Sequence, residues 1–388
     1  MNARQHTSHR GLLTPLDGPR ADASIDAIIV PNGRPARYLE QAITAAKRQE
    51  ALLVVLCSKL ATASNAAVEA RRAGAEVVAI DTDSLPPNLV PQLATDRLLK
   101  SSRYNRNTDT GFKRNLGLLL AVLAGWERIF FLDDDIELPE PEDLTKAAGL
   151  LDDHLPIVGL ANAGMPDNSV VCHALREVGE AQDTFIGGGA LAVGAAAFES
   201  FFPDIYNEDW FFLLDGVRLR PAAVTGRAFQ RDYDPYQSVV RARGEELGDT
   251  LAEGIFGLLD SGRGLTDAGE QYWAEFLHNR RQIIRDVIKQ VRASAIDPAR
   301  QMRMVAALDA GFRRSQLISP EFCVRYIRAW QADCVRWGGH LDELRRRHSG
   351  GPGVEKALAT LGIAHLAQWG VDVTGATPRS SAPRAVPA

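Results

Sequence analysis

Three consecutive carboxylates, Asp133-Asp134-Asp135, close the apolar run Ile129-Phe130-Phe131-Leu132, which reads as a buried strand. Like charges crowded at a strand end are costly unless something positive meets them. Hydrated Mg²⁺ or Mn²⁺ suits such oxygen ligands and commonly shares them with substrate phosphates. In an open α/β sheet, ligands bind outside the carboxyl ends of the strands, where this cluster would lie. The plainer alternative is a solvated acidic turn, and the stretches around it decide between the two.

Three further stretches carry chemistry. Lys113-Arg114-Asn115 opens an apolar helix running through Leu118, Leu119, Val122 and Leu123, and offers free amides and positive charge to a bound anion, or else a solvated first turn. Gly187-Gly188-Gly189 interrupts an otherwise strand-like run over residues 185–193, so a ligand or another backbone must come close there, or the chain must bulge or turn. In Tyr206-Asn207-Glu208-Asp209-Trp210-Phe211-Phe212 an acidic pair is set among aromatic rings. Carboxylates beside apolar surface tend toward raised pKa values, which suits a general base. The same residues also make a helix start, with Asn207 as cap and Glu208 and Asp209 on the favourable end of the dipole.

The elements that must position these residues alternate in type. Residues 25–30, 52–57 and 76–80 read as strands, with helical patterns over 38–46 and 61–73 between them. A repeat of about 25 residues suits consecutive strand-helix units and a parallel sheet. A looser segment, 81–110, precedes the Lys-Arg-Asn helix and the acidic strand. From about residue 236 the pattern becomes helical: Tyr272, Phe276, Ile283, Ile284, Val287 and Val291 share a face, and Asp297-Pro298 and Ser319-Pro320 are cap signals for two more helices. Ser349-Gly350-Gly351-Pro352-Gly353 breaks the run before a last helix over about 354–369.

With 388 residues, the chain has room for a large domain and a smaller one. It is 45% hydrophobic and 24% charged, as ordinary soluble globular proteins are. A formal net charge of −5 and a pI near 6.0 disfavour nucleic acid or an anionic membrane as partner. The cysteines Cys57, Cys172, Cys323 and Cys334 lack metal-ligand spacing, which suits reduced thiols in a cytoplasmic protein. Neither a signal-peptide core nor a membrane-spanning run is read, and residues 1–24 and 371–388 are expected as flexible tails.

In order and spacing, the Pro31-Asn32-Gly33 strand end, the Lys113-Arg114-Asn115 helix, Phe131-Leu132-Asp133-Asp134-Asp135, the glycine triplet and Asn207-Glu208-Asp209-Trp210 resemble a GT-A-fold glycosyltransferase of the family-2-like group. The resemblance covers residues 25–235. It implies a Rossmann-like, mostly parallel α/β domain there, followed by an all-helical region over 236–370. It also implies metal-dependent transfer of a sugar from a UDP- or GDP-sugar to an unidentified acceptor hydroxyl, with inversion. On this resemblance Asp133 and Asp135 hold the cation, with Asp133 and Asp134 near the ribose. Pro31 and Asp81 contact the nucleotide, and Lys113, Arg114 and Asn115 lie beside it. Gly187, Gly188 and Gly189 border the donor sugar, and Asp209, with Glu208 beside it, is the base.

The pattern departs from the family after the acidic pair, where relatives place a metal-binding histidine. Here Val224 to Asp234 has none, so Gln230 or Asp232 substitutes, or water completes the shell. His278 lies in a helix and reads as structural or exposed. His173 and Arg176, and the groups Arg280-Arg281-Arg285 and Arg345-Arg346-Arg347, are candidate acceptor contacts or plain helix faces. Two competing readings remain. A sugar-phosphate nucleotidyltransferase would need a glycine-rich phosphate loop and a basic residue after the first strand, of which Pro31-Asn32-Gly33-Arg34-Pro35 is a weak version. A non-catalytic nucleotide-binding assembly protein would bind without turnover.

Overall fold

A computed structural model describes residues 4–370 apart from Asp17, Pro19, Asn107, Asp167 and Asn168. In chain order its elements are β1 (Ala27–Asn32), α1 (Glu40–Gln49), β2 (Leu52–Cys57), α2 (Ala63–Arg72), β3 (Val77–Asp81), α3 (Ala94–Lys100), α4 (Thr110–Ala124), β4 (Arg128–Leu132), β5 (Ile136–Glu137), α5 (Asp143–Leu150), β6 (Ile157–Asn162), α6 (Val170–Glu177), β7 (Ala190–Gly194), α7 (Glu208–Phe212) and β8 (Ala222–Gln230). There follow α8 (Val239–Asp260), α9 (Glu270–Ala293), α10 (Pro298–Ser315), α11 (Pro320–Arg347), α12 (Val354–Thr360) and β9 (Ala367–Trp369).

The strand order is β5-β8-β6-β7-β4-β1-β2-β3-β9. β4, β1, β2 and β3 pair in parallel; β7 is antiparallel to β4 and β6, and β8 is parallel to β6. The sheet is thus mostly parallel in strand direction and flanked by helices, with a helical C-terminal region, as the sequence implies.

Alternation explains the layers. Ile29, Val54, Leu56, Val78 and Ile80 point to one face, where they meet α4, α8, α9, α11 and α12. Ile28, Val30, Leu53, Val55 and Val77 point to the other, under α1, α2 and α5. Strands buried on both faces read as unbroken apolar runs, which is why the sequence shows them so clearly. Gly117 lets α4 lie close on β1, since a Cβ there would sit 2.9 Å from two Ile29 carbons. Among the described residues no helix is long and apolar enough to cross a membrane.

Several expectations are corrected. The glycine triplet lies before β7, which begins only at Ala190. The last expected helix stops at Thr360, and Ala367–Trp369 instead joins the sheet as β9, antiparallel to β3. The described residues that precede β1 are fastened along the molecule: the Thr14 amide donates to the Ala222 carbonyl at 2.8 Å, and Arg20 donates to the Leu150 carbonyl at 3.0 Å. His9, only 4% exposed, sits between Glu253 and Asp260 of α8. The expected tail at 371–388 lies outside the described residues. The two expected parts meet in one core, because Leu251, Phe256, Trp273, Trp330 and Trp337 of the helical region join the cluster that covers the sheet.

Candidate functional site

The carboxyl ends of β1 and β4 put their following residues side by side, and the three acids leave β4 there. Asp133 is fixed first by its backbone, whose amide donates to the Gly189 carbonyl at 2.9 Å. Its carboxylate is gripped by one nitrogen of Arg114, at 3.0 and 2.9 Å from the two oxygens. The other terminal nitrogen of Arg114 donates to Glu208 at 2.8 Å. One buried guanidinium, 3% exposed, therefore ties the strand-end acids to the later acidic pair.

Gly188 makes room for it: a Cβ at that position would sit 2.6 Å from an Arg114 nitrogen. The close approach read from the glycines is thus made by the protein's own arginine. The Gly188 amide donates to Asp209 at 2.7 Å, and the Trp210 amide to the other Asp209 oxygen at 2.9 Å. Gly187, Gly189, Asn207 and Asp209 line a small cavity of about 40 Å³.

Desolvation pushes Asp133 up to about 6 against the pull of Arg114, and the charges of Asp135 and Asp134 act in the same direction. Burial likewise raises Glu208 above the ordinary carboxylate range, opposed by Arg114 and reinforced by Asp209. Arg114 itself is held firmly protonated by Asp133 and Glu208 in spite of its burial.

Asp134 turns toward the loop after β1. One of its oxygens accepts the Gly33 amide at 3.1 Å and the Arg34 amide at 3.2 Å, and the Arg34 guanidinium bonds the other. The same guanidinium donates to Asp135 at 2.9 Å. The loop amides that a phosphate loop would present are therefore spent on the chain's own carboxylate.

Arg34 is 43% exposed and lines two clefts at once. One, of about 540 Å³, is bounded by Tyr38, Asp133, Asp135, Arg231 and Tyr233. The other, of about 350 Å³, is bounded by Pro31, Lys59, Asp109, Lys113 and the three acids. The Tyr38 ring lies between Arg34 and Arg231, whose guanidinium carbons are 5.9 and 5.4 Å from its centroid.

The remaining sequence candidates divide. Pro31 and Lys113 line the second cleft, but Lys113 is 2% exposed and its ammonium is bonded to the Asn32 carbonyl at 2.9 Å, the Ser58 hydroxyl at 2.7 Å and Asp109 at 3.0 Å. It staples α4 to the ends of β1 and β2. Asn115 is corrected to a structural role, because its side-chain amide is exchanged with the Phe202 backbone in two bonds of 2.8 Å. Asp81 ends β3 as expected, yet one of its oxygens accepts the Ala63 amide at 2.7 Å and so caps α2.

Gln230 and Asp232 line the larger cleft, while His278 is exposed on α9. His173 lies behind the cleft wall with its ring nitrogen 3.0 Å from the Tyr233 hydroxyl, and burial with nearby Arg176 and Arg241 lowers it to about 4. Sequence reading missed Arg34, Lys59, Arg231, Tyr38 and Tyr233 as site residues. Of these only Arg34 left a signal, a basic residue directly after the first strand.

A divalent ion held jointly by Asp133 and Asp135 would have to share or displace the arginines that these carboxylates already meet. Asp133 is committed to a buried arginine and Asp135 to Arg34, and no group of three ligating side chains occurs among the described residues. The cation that meets the acids here is arginine.

No protein-family model matches the chain, and no curated protein matches it. Among solved structures, a crystal structure of S. aureus TarS 1-349 aligns over 75% of this chain and 90% of its own, at 13% identity and a TM-score of 0.35. The same fragment in complex with UDP-GlcNAc aligns over the same shares, at 14% identity and a TM-score of 0.34.

Proposed function

We propose that the chain is a glycosyltransferase, whose cleft binds a nucleotide-diphosphate sugar and passes the sugar to an acceptor hydroxyl. The observation that supports this reading best is the Arg114 bridge. It joins Asp133, which ends β4 and lines a cleft walled by cations, to the Glu208-Asp209 pair beside a glycine turn.

Glycosyl transfer expels a nucleoside diphosphate, and groups preset to meet that charge lower the barrier. Of the cations that line the two clefts, Arg34, Lys59 and Arg231 would face it. Asp209 would remove the acceptor proton. Its two oxygens accept the Gly188 and Trp210 amides, which orient the carboxylate beside the glycine turn. Glu208, tied to Arg114, would position the guanidinium rather than act as base. No step is assigned to Mg²⁺ or Mn²⁺, and Asp133 and Asp135 would hold such an ion only in competition with Arg114 and Arg34.

The test is a thermal-shift panel of UDP- and GDP-sugars with and without Mn²⁺, followed by turnover of the stabilising donor. A ligand that prefers the native state raises the midpoint. Asp209→Asn is expected to keep donor stabilisation and lower turnover by about 100-fold or more. Unchanged turnover would remove Asp209 from the base role, and no response to any nucleotide sugar would overturn the whole reading. Stabilisation without turnover on any acceptor would favour the binding-protein alternative. The anomeric configuration of the product, read by NMR, tests inversion.

A further inference from the structure

The arginines that the sequence sets in runs are largely consumed internally. Arg280 is buried between Glu246 and Asp249, Arg281 holds the carbonyls of Ser315 and Ile318, and Arg345, Arg346 and Arg347 pair with Asp342 and Glu343. Four others, distant in the chain, meet elsewhere. Arg103 after α3, Arg243 near the start of α8, and Arg313 and Arg314 at the end of α10 line one groove of about 690 Å³.

Among the described residues no ion pair ties any of these four to a carboxylate, although Asp309 shares the wall. Arg314 donates to the Arg103 carbonyl at 2.6 Å and lies over the Tyr104 ring, and its Nε is buried without a partner. Burial lowers the Arg314 guanidinium, and the like charges of Arg243 and Arg103 act in the same direction, opposed by Tyr104.

Between the arginines the groove is apolar. Val239 and Leu317 stand 47% and 49% exposed in it, with Ala306 and Ala310 beside them. Such a surface is mismatched to water at its floor and to itself at its rim. An inorganic anion would neutralise the rim and leave the floor wet; a neutral apolar molecule would do the reverse. A flat membrane would not enter a concave groove.

We infer that this groove binds a single anionic amphiphile, its phosphate or carboxylate head clasped by Arg103, Arg243 and Arg313 and its hydrocarbon stem laid on Val239 and Leu317. Arginine suits that head because its planar fork pairs such oxyanions in a bidentate manner, and concave apolar floors with a few convergent polar groups are what small-molecule sites look like. The start of α8 contributes to both sites, since Arg241 lines the carboxylate cleft and Arg243, two residues on, lines the groove. Use of the groove as the seat of a sugar acceptor rests on the reading of the cleft given above, whereas binding itself does not.

The experiment is titration calorimetry of the full chain with dodecyl phosphate below its micellar concentration, against inorganic phosphate and an uncharged dodecyl glycoside. Dodecyl phosphate is expected to bind at least about tenfold more tightly than either. Arg243→Gln with Arg313→Gln, both exposed positions, is expected to weaken it tenfold or more, and Leu317→Asp to weaken it independently of the arginines. Equal affinity for inorganic phosphate or for the uncharged glycoside overturns the inference, as does wild-type affinity in both variants. Uptake only by phosphatidylglycerol vesicles would also overturn it, in favour of a membrane contact. Nucleotide-sugar stabilisation measured on the same preparations reports the cleft separately, so failure of one reading is distinguishable from failure of the other.

Discussion

Arg34 holds the position that a divalent ion would have to take, because its guanidinium bonds Asp134 and Asp135 together. A metal must compete with it, and a half-exposed side chain on a loop is a weaker competitor than the buried Arg114 on Asp133. Arg34→Gln is therefore expected to strengthen Mn²⁺ binding. A tenfold gain in affinity adds about 1.4 kcal/mol of stability at saturating metal, which a thermal shift with Mn²⁺ alone, and the loss of free-Mn²⁺ signal in electron paramagnetic resonance, would both register. Identical responses of variant and wild type would show that Arg34 does not guard Asp135. The acids and Arg114 were legible in the sequence because charge at the end of an apolar strand, or at the start of an apolar helix, is conspicuous. Their pairing was not. Arg34 lies directly after β1 and meets acids that follow β4, and only the parallel pairing of those strands brings them together. Asn115 was misread because it follows two cations in sequence, yet one further step around a helix turns its side chain by roughly 100° to another face.

At the scale of elements, the strands that run through the core were legible and the segments that cover it were not. β1, β2 and β3 are buried on both faces and announce themselves as apolar runs, whereas β9 is three residues long and residues 4–24 are mostly polar. The polar N-terminal segment is held by charge. His9 lies buried beside Glu253, 3.2 Å away, and bonds Asp260, and these two carboxylates raise it from 6.5 to about 9 against the cost of burial. The folded state therefore keeps a proton that the unfolded chain releases near 6.5. The stabilising contribution is complete below that pH and is lost as pH rises through about 9, with an amplitude on the order of 3 kcal/mol. Denaturant melts of the wild type are expected to weaken across that window, and His9→Gln should flatten the slope while lowering stability at pH 6. A slope that survives the substitution would assign it to another group.

For the whole molecule, the helical region that follows residue 236 packs on the sheet through a shared apolar core. Leu247, Leu251, Ile255 and Phe256 of α8, and Trp330 and Trp337 of α11, share one core with Ile29, Val54 and Ile80 of the sheet. A further polar anchor fastens α11 to α3: Asp333, fully buried, accepts the Ala94 amide at 2.7 Å and the amide and hydroxyl of Thr95 at 2.8 Å each, and also pairs with Arg336. Periodicity could show that α8, α9 and α11 are amphipathic, but not that their apolar faces point at the sheet, since an amphipathic helix pairs equally well with its neighbours. If the sheet depends on that cover, residues 25–235 expressed alone should lack a cooperative melt and bind hydrophobic dye. Asp333→Ala in the full chain should cost about 2–4 kcal/mol by removing the cap of α3 and leaving its buried donors unsatisfied. The two parts should still unfold in one transition followed equally by tryptophan fluorescence, which reports mainly the helices, and by far-ultraviolet circular dichroism. Two separated transitions in the wild type would mean that the shared apolar face does not couple them, and the catalytic reading would then have to be tested on residues 25–235 alone.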